Sequence, residues 1–278
     1  MKKLAGKLAL ITGGSSGIGL ALAKELAVQG MRVAILARRK EVLDAAQTEI
    51  APLTPFDVRT IVADVSDWEQ VSAVLDSFQA EVGVPDLVIN SAGVARPGQF
   101  EDLDVEIFHW TLDINLLGPI HVCKAVVPGM LKRGSGHIVN ISSVAGFVGT
   151  YGYTAYGASK FGLRGFSDTL RAELRSRGIT VSIVFPPDTD TPQLAAETPY
   201  KPAVTKALAE TASVQHPEKV AVEIRKGIQK NRILIIPGFE GKLIYLANNL
   251  PFNLGYHLMD MMVSGAEKSA GKKLNKAG

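Results

Sequence analysis

Seven short runs of apolar and β-branched residues constrain this chain more than any other feature: Leu8–Thr12, Arg32–Ala37, Thr60–Val62, Leu87–Asn90, His137–Ile141, Thr180–Phe185 and Ile233–Ile236. Each is too short for a helix. The segments between them carry apolar residues three and four apart, as in Leu20, Leu22, Ala23, Leu26 and Ala27. Continuously apolar strands separated by helices are buried on both faces, which implies βαβ crossovers. The pattern predicts an α/β fold: a doubly wound parallel sheet with helices on both faces. The 278 residues suffice for one such domain, and no linker or internal repeat divides them. Residues 1–240 are expected to form it. Within them Thr191–Pro217, polar and proline-rich, reads as a mobile lid between the sixth and seventh strands.

The first strand runs into Thr12-Gly13-Gly14-Ser15-Ser16-Gly17-Ile18-Gly19, and a helical pattern begins there. Glycines let a backbone approach a ligand closely, and the N-terminus of the following helix offers unpaired N–H groups to a pyrophosphate. Strand, loop, helix and second strand fit within the roughly 30 residues of a dinucleotide-binding unit. Gly13, Ser15, Ser16, Gly17, Ile18 and Gly19 are therefore candidate nucleotide contacts. An acid at the end of the second strand would bond the adenosine ribose and repel a 2′-phosphate. This chain has Ala37-Arg38-Arg39-Lys40 instead. Guanidinium groups fork onto phosphate oxygens, so NADP(H) is favoured over NAD(H), with Arg38 and Arg39 as the binders. A solvated basic turn is the plainer alternative. Asp64, followed by Val65 after the third strand, either meets the adenine or caps the next helix.

Tyr156-Gly157-Ala158-Ser159-Lys160 sets a phenol and an ammonium on one face of a helix. A nearby ammonium lowers a phenol toward working pH, which makes a general acid for ketone reduction. Ser143, thirteen residues earlier, can offer its hydroxyl to the same carbonyl oxygen. Ser142 is the neighbour that could take its place.

These motifs, with Asn90-Ser91-Ala92-Gly93 and Asn115, resemble the short-chain dehydrogenase/reductase family over residues 5–240. The resemblance implies a Rossmann-like domain with Tyr156 as proton donor, Ser143 as carbonyl partner and Lys160 on the nicotinamide ribose. It also implies that Lys160 lowers the Tyr156 pKa and that Asn115 supports a water-linked proton relay in mid-helix. Asn90, Ala92 and Gly93 would line the nucleotide. The run Pro186-Pro187-Asp188-Thr189-Asp190-Thr191-Pro192 is similar to the branch of 3-ketodihydrosphingosine reductases. That branch implies NADPH-dependent reduction of a lipid ketone, 3-ketosphinganine, with Pro186, Thr189 and Thr191 near the nicotinamide. Other hydrophobic carbonyls, such as a 3-oxoacyl thioester or steroid-like ketone, are an alternative. A non-catalytic NADPH-binding scaffold is another.

Residues 241–278 read as an apolar extension with a basic tail. Leu243–Val263 is apolar at nearly every second or third position, and Pro251 would break a long helix there. It can serve as a homodimer or homotetramer interface, a wall of the substrate pocket, or a peripheral membrane contact. Lys268, Lys272, Lys273 and Lys276 against Glu267 account for the entire net charge of +3. So small a charge on the body argues against nucleic-acid partners, while lysines behind an apolar segment suit an anionic surface. The expected location is cytoplasmic, with the cytoplasmic face of a membrane as a candidate surface. No run of about 18 uninterrupted apolar residues predicts a spanning helix. The single cysteine, Cys123, excludes an internal disulfide and reads as a small buried hydrophobe, and the five histidines lack metal-ligand spacing. Trp68 and Trp110 are expected to pack, Trp110 toward the substrate side.

Overall fold

Strand β1 (Leu8–Thr12) lies in the interior of the sheet, and all its residues are buried. Leu8 and Leu10 enter one core while Ala9 and Ile11 enter the other, the alternation of a strand covered on both sides. The computed structural model describes residues 1–210, 213–249, 257 and 259–268. In it β1 pairs with β2 (Arg32–Ala37) and β4 (Leu87–Asn90). With β3 (Arg59–Val62), β5 (Gly136–Ile141), β6 (Ile179–Val184) and β7 (Leu234–Ile235) the sheet order is β3-β2-β1-β4-β5-β6-β7. Every pairing is parallel, as the sequence pattern predicts. Strand ends shift by a residue, and β7 is shorter than expected because Ile233, at the sheet edge, is exposed.

Helices α1 (Gly17–Val28), α2 (Lys40–Ile50) and α9 (Pro217–Gln229) cover one face, burying Leu22, Leu26, Leu43, Ile224 and Ile228. Helices α3 (Trp68–Val82), α5 (Gly118–Arg133) and α6 (Thr154–Leu174) cover the other with Leu75, Phe78, Val122, Val126 and Leu174. Helix α4 (Val105–Leu112) runs through a π turn, Asp113–Leu117, into α5. The sequence predicts no spanning helix. By length and composition alone, however, the stretch Val105–Arg133 is long and apolar enough to cross a membrane. Its apolar character is explained by packing: Val122, Cys123, Val126 and Met130 are buried against α3 and the sheet.

The segment read as a lid folds into α7 (Pro192–Glu197) and α8 (Ala203–Ala209) beside the carboxyl ends of the central strands. Helix α10 (Phe239–Asn248) follows β7 and sets Tyr245 edge-on to Phe147 at 5.1 Å. Residues 259–268 are helical. Leu250, Pro251, Phe252, Leu254, Leu258, Lys272, Lys273 and Lys276 lie outside the described residues.

Candidate active site

A cleft of about 660 Å³ opens at the carboxyl ends of β1, β4, β5 and β6. This is where a doubly wound sheet places its ligands. Gly13, Ser16, Gly17, Ile18 and Gly19 line one end. Gly13 has φ +65°, and a Cβ on it would fall 2.8 Å from the Ala92 backbone. The loop therefore touches the Asn90–Gly93 turn, and Thr12 Oγ1 fastens the two by accepting from Ser91 N (3.1 Å) and Ala92 N (3.2 Å). Ser16 caps α1 without a side-chain bond, and the first turn carries no acid. The helix amides and dipole are thus left for an external anion. Ala92, Gly93, Tyr156, Lys160, Pro186, Thr189 and Thr191 line the same cleft. Thr191 also lies over the glycine loop, since a Cβ on Gly17 would meet its methyl at 3.0 Å. These features fit a dinucleotide.

Several expected contacts stand elsewhere. Ser15, Arg38, Arg39, Asp64, Val65 and Asn90 are outside the cleft lining. Arg38 and Asp64, at the ends of β2 and β3, pair at 3.5 Å, which puts both at the edge an adenosine would reach. Burial opposes the Asp64 charge, but the Ser66 hydroxyl and amide and the Arg38 guanidinium outweigh it and hold the carboxyl below its usual range. Asp64 does not cap the next helix. Asp67 does, accepting from Gln70 N at 3.0 Å. Arg39 caps α2 with its side chain exposed, and among the described residues it forms no ion pair. The Val65 carbonyl meets His121 Nδ1 at 2.9 Å. Asn90 turns its side chain inward to Asn140 Oδ1 (2.8 Å), whose amide reaches Ser167 Oγ (2.8 Å). That buried ladder braces β4, β5 and α6, and only the Asn90 backbone can face a nucleotide.

Tyr156 and Lys160 project from the first turns of α6, and Ser143 from the end of β5. The Ser143 hydroxyl and the Gln193 side chain line the cleft with the Tyr156 hydroxyl, and both favour its ionised form. Ser142 is excluded from that role because its hydroxyl is buried and donates to the Lys160 carbonyl at 3.1 Å. Lys160 Nζ donates to the Ile141 carbonyl at 3.0 Å and lies 5.4 Å from the Tyr156 ring centroid. Burial lowers it to about 8. The expected lowering of Tyr156 by Lys160 is not what this arrangement produces. Burial, then the Glu197 and Asp188 carboxylates, push the phenol up, while Ser143 and Gln193 pull it down by less. The phenol is held protonated, as an acid donor requires.

Asn115 lies within the π turn rather than in regular mid-helix. Such insertions re-aim a side chain and cluster at functional sites. Its Oδ1 accepts from Val94 N at 2.8 Å, and its amide donates to Val94 O (2.9 Å) and Ser159 Oγ (3.0 Å). Ser159 Oγ in turn donates to the Tyr156 carbonyl at 2.7 Å. Asn115 thus braces the loop after β4 against the helix that carries the reacting phenol.

The lining residues that escaped the sequence reading include Gln193, Tyr153, Glu197 and Lys201. Glu197 and Lys201 are one turn apart, a spacing usually read as a solvated pair, yet both side chains are buried. The cleft continues into an apolar end lined by Leu208, Leu243, Ile244, Met259 and Met262. Trp110 is not in the lining and is half-exposed, as is Trp68. No metal-ligating cluster occurs among the described residues. Cys123 is buried as expected, and burial pushes its thiol up to about 12.

Strand order, glycine loop and the Ser143–Tyr156–Lys160 set describe one class of protein, nucleotide-dependent oxidoreductases. The chain belongs to the short-chain dehydrogenase family, whose model matches residues 7–201. The 3-ketodihydrosphingosine reductase of Bos taurus is 38% identical over 87% of this chain and 74% of its own length. A 3-dehydrosphinganine reductase of Arabidopsis thaliana is 42% identical over 86% of this chain and 73% of its own. A solved short-chain dehydrogenase/reductase from Burkholderia phymatum in complex with NAD superposes with TM-score 0.79 and 25% identity, covering 89% of this chain and 94% of that one. L-sorbose reductase from Gluconobacter frateurii, complexed with NADPH and L-sorbose, gives TM-score 0.75 and 25% identity over 86% of this chain and 98% of its own. The family works with NAD(H) or NADP(H).

Proposed function

We propose that the protein reduces 3-ketosphinganine to sphinganine with NADPH. The observation that carries the reading is the position of the Tyr156 hydroxyl. It shares the cleft with Ser143 and Gln193, between a nucleotide-fitting end and an apolar end suited to a long chain. Both curated relatives described above carry names for this activity. When bound, a reduced nicotinamide supplies hydride to the carbonyl carbon. Ser143 orients the carbonyl oxygen, and Tyr156 gives it the proton from Oη. Lys160, on the Ile141 carbonyl beside the phenol, would hold the nicotinamide ribose. Asn115 positions α6, and a water-linked proton relay through it belongs to the proposal. The exposed Arg39 and the Arg38–Asp64 pair support NADPH over NADH.

The test is NADPH oxidation with 3-ketosphinganine, a 3-oxoacyl thioester and a steroid ketone in parallel. Preference for the first is expected, and preference for either other substrate overturns the substrate assignment. Tyr156→Phe should abolish turnover while keeping NADPH binding. A wild-type protein that binds NADPH and reduces none of the three would favour the scaffold alternative.

A peripheral membrane contact, at the cytoplasmic face, belongs to the same proposal. Phe239, Leu246, Met261 and Met262 are exposed apolar side chains near the apolar mouth of the cleft, and the lysine tail follows them. Flotation with anionic vesicles should be weakened by Leu246→Asp together with Met261→Asp, and unchanged flotation would refute the contact. Self-association as a homodimer or homotetramer is also proposed, supported by the exposed Val105, Trp110 and Leu117 along α4 and the π turn. Sedimentation tests it.

A further inference from the structure

We propose that the apolar end of the cleft is an open-ended slot for an unbranched alkyl chain, walled by Leu208, Leu243, Ile244, Met259 and Met262, so that the enzyme sets a minimum chain length but no maximum. The inference rests on the reductase reading above and deepens it.

A series of contacts leads outward from the helix that carries Tyr156. Thr205 Oγ1 donates at 3.0 Å to the carbonyl of Tyr151, just before α6, and so pins α8 beside the start of α6. Leu208 lines the cleft with Thr205, three residues on and therefore on the same face of α8. Past α8, Ser213 Oγ donates at 2.8 Å to Glu240 Oε2 in the first turn of α10. Glu240 and Ile244, four apart, line the cleft from α10, as Met259 and Met262 do from the helical segment 259–268. Helix α10 is seated by a different row. Gly241 is buried, with Ile236 3.0 Å from where its Cβ would be, Tyr245 packs on Phe147, and Asn248 Nδ2 donates to the Phe147 carbonyl at 2.7 Å. Leu243 and Ile244 are thus left for a ligand.

Exposure shows that the slot is open. Leu243, Ile244 and Met262 line the cleft yet are 49%, 40% and 50% exposed. The walls of a closed pocket would be dry, whereas half-wet apolar walls are area that a bound chain removes from water. The slot is continuous with the end holding Ser143 and Tyr156, so its occupant is attached to the reacting carbonyl. These five side chains offer no strong hydrogen-bonding group, and the two flexible thioethers adapt to a chain without fixed shape. Leu246 and Met261, outside the lining on the same two helices, carry the apolar surface onward. Carbons beyond the slot run out over that surface instead of meeting a wall.

The test is kcat/KM with NADPH for 3-ketosphinganine homologues shortened or lengthened two carbons at a time, below their aggregation concentrations. It should rise about twofold to fourfold per methylene while the chain covers the slot, then level off. Ile244→Trp and, on a separate element, Met262→Trp narrow the slot, and each should lower the ratio of long-chain to short-chain kcat/KM at least tenfold. Leu246→Trp adds the same ring at an exposed position outside the lining and should keep the wild-type ratio. A sharp fall beyond one length, a profile flat from the shortest chain, or slot variants that lower every length alike would each overturn the inference. If wild type reduces only 3-oxoacyl thioesters, the substrate reading fails by itself, and the same length profile measured on thioesters decides the slot. If neither series is reduced, both fail.

Discussion

Lys160 is a buried cation whose cost to the fold can be measured. It is 4% exposed, and burial lowers its pKa from 10.5 to about 8. A base whose folded pKa lies below its unfolded value binds fewer protons folded than unfolded, so it opposes folding most strongly below the folded pKa. The penalty fades as pH rises toward the unfolded value. A shift from 10.5 to about 8 corresponds to about 3 kcal/mol at pH 7 and under about 1 kcal/mol at pH 10. Lys160→Met keeps most of the side-chain volume and removes the charge. It also leaves the Ile141 carbonyl without the Nζ–H donor at 3.0 Å, a loss of roughly 1–3 kcal/mol that does not vary with pH. The assay is urea unfolding of both proteins, without added nucleotide, from pH 7 to pH 10. Relative to Lys160→Met, wild type should gain about 2–3 kcal/mol across that range while the variant loses turnover throughout. A stability difference flat in pH would refute the argument, because it would mean that Lys160 ionises alike in the folded and unfolded chain.

Three other substitutions probe the scaffold around the site. Gly13→Ala forces a side chain to φ +65° and against the Ala92 backbone at 2.8 Å. The left-handed conformation alone costs about 1–2 kcal/mol, so NADPH affinity should fall at least tenfold by fluorescence titration. Asn115→Ala strands both polar groups of Val94 and takes one donor from the Ser159 hydroxyl, which keeps its bond to the Tyr156 carbonyl. It should destabilise the protein by roughly 2–4 kcal/mol in urea unfolding, with a larger loss in kcat than in NADPH affinity. Arg38→Ala should raise the KM for NADPH much more than that for NADH. Little stability should be lost, because the partly exposed pair with Asp64 at 3.5 Å is worth at most about 1 kcal/mol. Equal effects on the two cofactors would remove Arg38 from phosphate recognition.

What could be read from the amino acids, and what could not, divides along the distance over which each feature is determined. Strands such as Leu8–Thr12 and Arg32–Ala37 are legible because burial on both faces leaves a local run with no polar interruption. The glycine loop and Tyr156–Lys160 are legible because a tight turn and a helix repeat set their spacing within a few residues. The π turn around Asn115 is not, since nothing local distinguishes Asp113–Leu117 from regular helix. Its contacts come from Val94 and Ser159, far along the chain in both directions. Glu197 and Lys201 illustrate the same limit for charge. Four residues apart in the sequence, they resemble any exposed pair. Only the packing of α7 over the cleft, with Tyr153 from the start of α6 reaching Glu197, makes them buried and chemically consequential. The Tyr156 pKa belongs to this second group as well. The Tyr156–Lys160 spacing alone suggests a phenol lowered by its lysine. Depth of burial and two acids from the segment after β6 push it the other way. Electrostatics at the site are thus set by the least locally determined part of the chain. The same segment lies outside the sheet and lines the cleft, so it is where a reductase on this scaffold can acquire its choice of substrate.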